Sequence, residues 1–307
     1  MGSVGLLSLN KPQGLTSRQA LDRVKRLVRP AKTGHAGTLD PLATGVLVVC
    51  IGAATRLIQY VQRMPKSYIG TFLLGCSSDT EDIEGQVIEQ DQPPLPSEEQ
   101  ILAAAAALVG TIQQRPPAYS ALRVQGQRAY QLARKGTPPE LEPRPVEIYQ
   151  LDVVDYHYPR LTLRVCCGSG TYVRSLGRDL AESLGTAAVM SSLIRTAIGS
   201  FCVERSIAPD ALNHENLPQL LVPPLVAVES LPRIDLSTSE VLAVRQGKTI
   251  ARDFPTRPVA SSLSLPASPT PRSQEEWAAV DPQGRLVALL VRREPALLGP
   301  ICVLPEE

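Results

Sequence analysis

Aromatic residues are scarce in this sequence: Phe, Trp and Tyr together make up 4% of 307 residues. Beside 28 prolines, that scarcity points to turns, linkers and rigid loops rather than to aromatic-rich packing. Histidine is scarcer still. The 3 histidines are too dispersed to designate a general base, and they give the cysteines no convincing partners for a zinc site. Cysteines stand at 50, 76, 166, 167, 202 and 302 with no CxxC pair among them, a usage that fits a reducing compartment. Cys50 and Cys166 lie inside apolar runs and are expected as small buried hydrophobes.

No apolar run nears the ~20 residues needed to cross a bilayer. The opening stretch, Met1 to Gly14, is interrupted too soon by Pro and Gly to serve as a signal peptide. These absences set the expectation of a cytoplasmic protein with no membrane partner. A formal net charge of +1 excludes a global field that would draw in a polyanion.

What is present is ordinary bulk with uneven charge. At 43% apolar and 20% charged, a chain of this length can bury a substantial core and is expected to form two domains. Between Lys11 and Lys32 there are seven Lys/Arg against one acid, Asp22; between Asp79 and Glu99 there are eight acids and no base. Residues 111–145 carry six bases against two acids. A basic face and an acidic face can hide within a near-neutral total, although an uneven solvated surface accounts for the same counts.

Periodicity places the elements. A short strand over 4–9 leads to a helix capped by Thr16 or Ser17. Its Ala20, Leu21, Val24, Leu27 and Val28 form an inward stripe that leaves Arg18, Lys25, Arg26 and Arg29 outside. The β-branched run 45–51 reads as a buried strand, 54–62 as a helix and 68–74 as a strand. A helix runs from Ser97 to Val109, strands lie near 146–155 and 161–167, and a helix capped by Thr171 covers about 172–184. A further helix is expected to start near Ala187. Residues 111–145 read as an excursion from the core with a basic surface. Beyond Pro232, residues 236–307 read as a small β-rich domain with a helix at 238–245 and strands near 278–281, 285–292 and 299–303. A Pro/Ser-rich loop at 256–274 is expected to be mobile.

Two constellations could hold chemistry. In Gly34–Gly45, three glycines crowd around His35 and Asp40, a composition suited to a tight loop that holds a carboxylate rigidly. An Asp that merely turns the chain before Pro41 is the alternative. Phosphate cradling fits poorly, because the GxxxxGK[ST] order is missing. In Gly168–Ser175, Arg174 falls on the first turn of a helix, where a cation is disfavoured by the helix dipole. An arginine so placed calls for a compensating anion, a carboxylate or a phosphate, unless it simply faces solvent.

Taken in order, these segments resemble the TruB family of tRNA pseudouridine synthases over about residues 6–203. Leu9-Asn10-Lys11-Pro12-Gln13-Gly14 resembles its first motif, and Gly37-Thr38-Leu39-Asp40-Pro41-Leu42-Ala43-Thr44-Gly45 its signature around a catalytic Asp. Lys66-Ser67-Tyr68, with Leu74-Gly75 and Asp79-Thr80, is similar to the motif supplying an active-site Tyr. Gln114 to Ala121 opens what resembles a tRNA-gripping insertion, with Arg123 where the family usually has Lys. Gly170 to Leu176 matches the segment of the active-site Arg, and Leu193, Arg195 and Gly199 the motif closing the pocket.

The resemblance implies an α/β (α+β) pseudouridine synthase fold, with a central mixed or antiparallel sheet flanked by helices. Residues 1–232 would be the catalytic domain, and 236–307 a C-terminal PUA-like β-barrel. It implies Asp40 as nucleophile, paired with Arg174, with Tyr68 stacked on the target base and Leu193 walling the pocket. Lys11, Arg195, Tyr119 and Arg123 would bind substrate, and His35 would fill the space left by a flipped uridine in the T loop. The implied partner is the T stem-loop of tRNA. No cofactor, no metal, no obligatory protein partner and a monomer are expected. The lack of a basic tail favours this stand-alone form over guide-RNA-dependent relatives.

Overall fold

The computed structural model describes residues 4–124, 126–252 and 275–305; the expected 256–274 loop falls outside the described residues. Two compact units divide the chain. One comprises Met1–Asp40, Val46–Arg63 and Ser200–Glu307, and the other Pro41–Gly45 and Met64–Gly199.

The first unit grows from alternating and continuous apolar runs. Strand Gly5–Lys11 and the run Thr44–Ile51, from Val46 on, bury Leu7, Leu9, Leu47, Val49 and Ile51 against helix Ser17–Leu27, which contributes Ala20, Leu21 and Val24. That helix is closed at its start by a capping box between Thr16 and Gln19. Its Arg18, Lys25 and Arg26 lie exposed, as the 3.6-residue spacing requires. A short strand, Thr33–His35, pairs antiparallel with Val49–Ile51 and runs into the Gly34–Gly45 stretch whose composition suits a tight loop.

The same unit holds the C-terminal sheet. Its strand order is Arg233–Asp235, Glu276–Val280, Leu286–Glu294, Leu297–Val303 and Ile250–Ala251. Among the described residues this is an open sheet, packed on helix Thr238–Arg245 through Val241, Val244, Trp277 and Leu290. The parallel pairing of Arg233–Asp235 with Ala278–Val280 brings in residues ahead of the expected start at 236. Arg56 donates to Val303 O, and Tyr60 hydrogen-bonds Glu276, so the sheet is tied to the segment that follows Ile51.

In the second unit, five strands run antiparallel in the order Ala188–Ile198, Lys66–Leu74, Arg160–Cys167, Arg144–His157 and Gly110–Gln114. Thr44 and Gly45 add to Ile194 and Arg195 in parallel, which makes the sheet mixed. Helix Val173–Ser183 lies on one face, where Gly177 lets it meet the Phe72 ring. Helix Glu98–Ala107 packs on strand Arg144–His157 and on that helix.

Four local expectations are corrected here. The helix start at Ala187 is instead a strand, Ala188–Ile198, held between neighbours; two register shifts, at Met190/Ser192 and Arg195/Ala197, disguise its period of two. Strands Gly110–Gln114 and Arg144–His157 take both ends of the expected 111–145 excursion into the sheet. Strand alternation leaves Cys166, expected to be buried, only half-buried, and buries its neighbour Cys167. Thr171 does not cap its helix: its hydroxyl donates to Gly168 O at 3.2 Å. The first residue ahead of the helix, Tyr172, is held instead by buried Gln114. That amide accepts from Tyr172 N at 2.8 Å and donates to Tyr172 O at 3.1 Å.

Gly45 is the tightest backbone approach in this sheet. Its φ is +99°, and a Cβ there would overlap the Arg195 carbonyl, which is backbone and cannot step aside. Gly45→Ala is expected to destabilise the protein by about 3 kcal/mol, from left-handed strain and overpacking together. Urea denaturation checks this; a loss below about 1 kcal/mol would contradict it.

Candidate active site

Asp40 ends a loop whose preceding residue is pinned. Ser17, buried at the start of helix Ser17–Leu27, accepts from Leu39 N at 2.8 Å and donates to Leu39 O at 2.9 Å. One hydroxyl thus fixes both backbone polar groups of the residue that precedes the carboxylate. Asp40 itself is half-buried. Farther back, Ala36 N donates to Val48 O at 2.9 Å, which continues the pairing of the strand that bears His35. Lys11 is fully buried, with its ammonium donating to Pro12 O at 3.0 Å and Leu15 O at 2.7 Å. It holds closed the turn that leads into the helix.

In the other unit, sheet register places Arg195 directly beside Tyr68 and Leu193 beside Gly70. Tyr68, Leu193 and Arg195 are all buried, and Tyr68 shares its strand face with Lys66, Gly70 and Phe72. Val173, first in its helix, comes close to Gly70. Arg174 follows it and is buried at 6% exposure. Its Nη1 donates to Thr80 O at 2.7 Å and to Asp82 Oδ2 at 3.1 Å, and its Nη2 to Tyr119 O at 3.1 Å. The anion called for by a first-turn arginine is therefore supplied by a carboxylate, Asp82.

Asp82 is itself held: its Oδ1 accepts from Thr80 Oγ1 at 2.7 Å and from Glu84 N at 3.1 Å. Sequence reasoning stopped at Asp79-Thr80 and missed Asp82. The available signal was the acidic run itself, where a buried acid cannot be told from its solvated neighbours by composition. Tyr119 reaches the same turn through its hydroxyl, which donates to Asp79 at 2.9 Å; that hydrogen bond raises its pKa. Arg123 stands apart, exposed in a small hairpin with Arg128. Burial pushes Glu81 upward, while Arg178, Ser175 and Arg174 pull it back.

Lys66, which opens the Tyr68 motif, is buried and donates to Ser169 Oγ at 2.8 Å. Burial lowers its pKa to about 8, with Arg195 adding to the fall and Cys167 opposing it.

A mixed sheet flanked by helices, with these side chains at one strand and one helix start, is the pseudouridine synthase fold. A solved chain from an H/ACA RNP bound to a substrate RNA containing 2′-deoxyuridine shares it, with TM-score 0.69 at 23% identity over 98% of this chain and 86% of that one. The family description "TruB family pseudouridylate synthase (N terminal domain)" matches residues 25–173. A tRNA pseudouridine synthase B of Syntrophomonas wolfei subsp. wolfei is 40% identical, covering 81% of this chain and 85% of the relative. Another, from Arthrobacter sp. (strain FB24), is 39% identical over 93% of this chain and 92% of its own. The chain belongs to the TruB family of pseudouridylate synthases and is an isomerase.

Two outcomes follow from the site's geometry. Ser17→Ala takes this partner from both the N–H and the C=O of buried Leu39, so a loss of about 1–3 kcal/mol in denaturation is expected; unchanged stability would sink the clamp. For Lys66, between pH ~8 and ~10.5 the unfolded chain keeps a proton that the folded chain has released. Stability therefore gains from this group as pH rises through that window. Lys66→Met should remove that gain, and denaturation curves with the same pH slope as wild type would contradict it.

Proposed function

We propose that this protein isomerises the T-loop uridine at position 55 of tRNA to pseudouridine. The observation that supports this most is the family match over residues 25–173, which takes in both Asp40 and Tyr68 and stops one residue short of Arg174. Relatives called tRNA pseudouridine synthase B that align along nearly the whole chain support the choice of tRNA.

The C1′–N1 glycosidic bond breaks, the freed uracil turns, and C5 bonds to C1′; C5 loses a proton and N1 gains one. Asp40 is the nucleophile, at uracil C6 or at ribose C1′. Arg174, gripped by Asp82 and Thr80 O, supplies the positive charge that keeps a nucleophilic carboxylate ionised. Tyr68 stacks on the base and Leu193 walls the pocket. The uridine has to leave its stack for this chemistry, and His35 fills the vacated place.

Exposed Arg18, Lys25, Arg26 and Arg123 suit contacts to phosphates, with Tyr119 and Arg195 on the substrate side. The open C-terminal sheet serves as a PUA-like RNA-binding module. No described helix is long and apolar enough to cross a membrane. On this reading the enzyme works in the cytoplasm as a single chain, without cofactor or obligatory protein partner.

Unmodified tRNA is incubated with purified protein and pseudouridine is mapped by position. One new pseudouridine in the T loop is expected, absent with Asp40→Asn while tRNA binding is retained. Modification elsewhere, or undiminished turnover by the variant, would overturn the assignment.

A further inference from the structure

Glu81 is one of two non-glycine residues with a left-handed backbone among the described residues, at φ +62°. An L side chain resists that conformation, which persists only where its surroundings over-determine it. Here the surroundings are specific. Glu81 Oε2 accepts from the Ser175 hydroxyl at 2.6 Å, and Oε1 pairs with Arg178. Its backbone oxygen accepts from Met190 N at 3.0 Å.

The two residues on either side do different work. Thr80 O and the Asp82 carboxylate both receive Arg174, at 2.7 and 3.1 Å. Arg174, Ser175 and Arg178 all lie within the first turns of helix Val173–Ser183. Three consecutive residues thus grip one helix end, the outer two through Arg174 and the middle one through Ser175 and Arg178.

We propose that Glu81 is a positioning residue: its carboxylate, gripped by Ser175 and Arg178, locks a strained turn and so aims the two acceptors that hold Arg174. This rests on the reading in which Arg174 serves the isomerisation. Glu81 does not touch substrate in that reading, so its removal acts on the chemical step through Arg174. Arg178 is the less clean handle, because it also binds Arg115 O and Asp179.

The test is single-turnover pseudouridine formation by the full chain on unmodified tRNA, with tRNA affinity and thermal melting measured beside it. Glu81→Ala keeps the strain and loses the anchor, so the rate should fall about tenfold or more. Glu81→Gly also loses the anchor but occupies positive φ freely, and should run about fivefold faster than the alanine variant. Glu81→Gln, which retains hydrogen bonding, should stay within about threefold of wild type, with tRNA affinity unchanged throughout.

A merely structural role would lower melting temperature and active fraction together, without separating glycine from alanine in rate. An alanine variant as fast as wild type, or a glycine variant no faster than alanine, overturns the proposal. Should the alanine variant fail to fold, Ser175→Ala removes one grip on the carboxylate, and an unchanged rate there overturns it equally. Asp40→Asn runs in parallel. If it is silent while Glu81 variants match wild type, only the turn's role fails; if it turns over normally, the reading of the site fails and the role of Glu81 with it.

Discussion

A guanidinium taken out of water has to be met by opposite charge and by oxygen, and the pair between Arg174 and Asp82 meets that demand at 3.1 Å. Both side chains are almost wholly buried, so neither is cheap to place. Arg174 also sits where a helix start repels a cation. Such a pair adds little net stability against an apolar replacement, but losing either partner leaves an uncompensated buried charge. What it secures is place. The turn at 79–84, the helix start at 173 and the backbone at Tyr119 are held to one another by this guanidinium and by Arg178 below it.

The loop around Asp40 meets a similar requirement without charge. Ahead of it, Leu39 is bound through both its backbone N–H and its backbone C=O by Ser17. Beyond it in the chain, Gly45 takes a left-handed conformation against a backbone carbonyl that leaves no room for a side chain. The residue before Asp40 and, five positions after Asp40, Gly45 are thus each fixed in backbone within their own unit.

Much of this was legible in residue order. The helix at 17–27 was expected from its apolar stripe, and the exposure of its bases followed from the same spacing. The strand at 44–51 and the helix at 238–245 came from continuous and periodic apolar runs. The motifs around Asp40, Tyr68 and Arg174 were visible as ordered segments, while the sequence left Arg174 either beside a compensating anion or facing solvent. Three features were not. Asp82 stood unremarked in an acidic run, Gln114 replaced Thr171 as the holder of a helix start, and the strand at 188–198 was mistaken for a helix.

The first two failures share a cause. Local order is enough wherever a residue's conformation depends on neighbours within a few positions: helix stripes, capping boxes, the glycines of a tight loop, and the order of the family's motifs. It falls short where the deciding partner is distant in the chain. Asp82 lies 92 residues from Arg174, and Gln114 lies 58 from Tyr172. An acid is buried or solvated, and a peptide N–H is met or left open, according to which strand or turn packing brings alongside. Hydrogen bonds and desolvation act over a few ångströms of space, whatever the separation along the chain, and for that reason only the folded sheet and its helices could decide them.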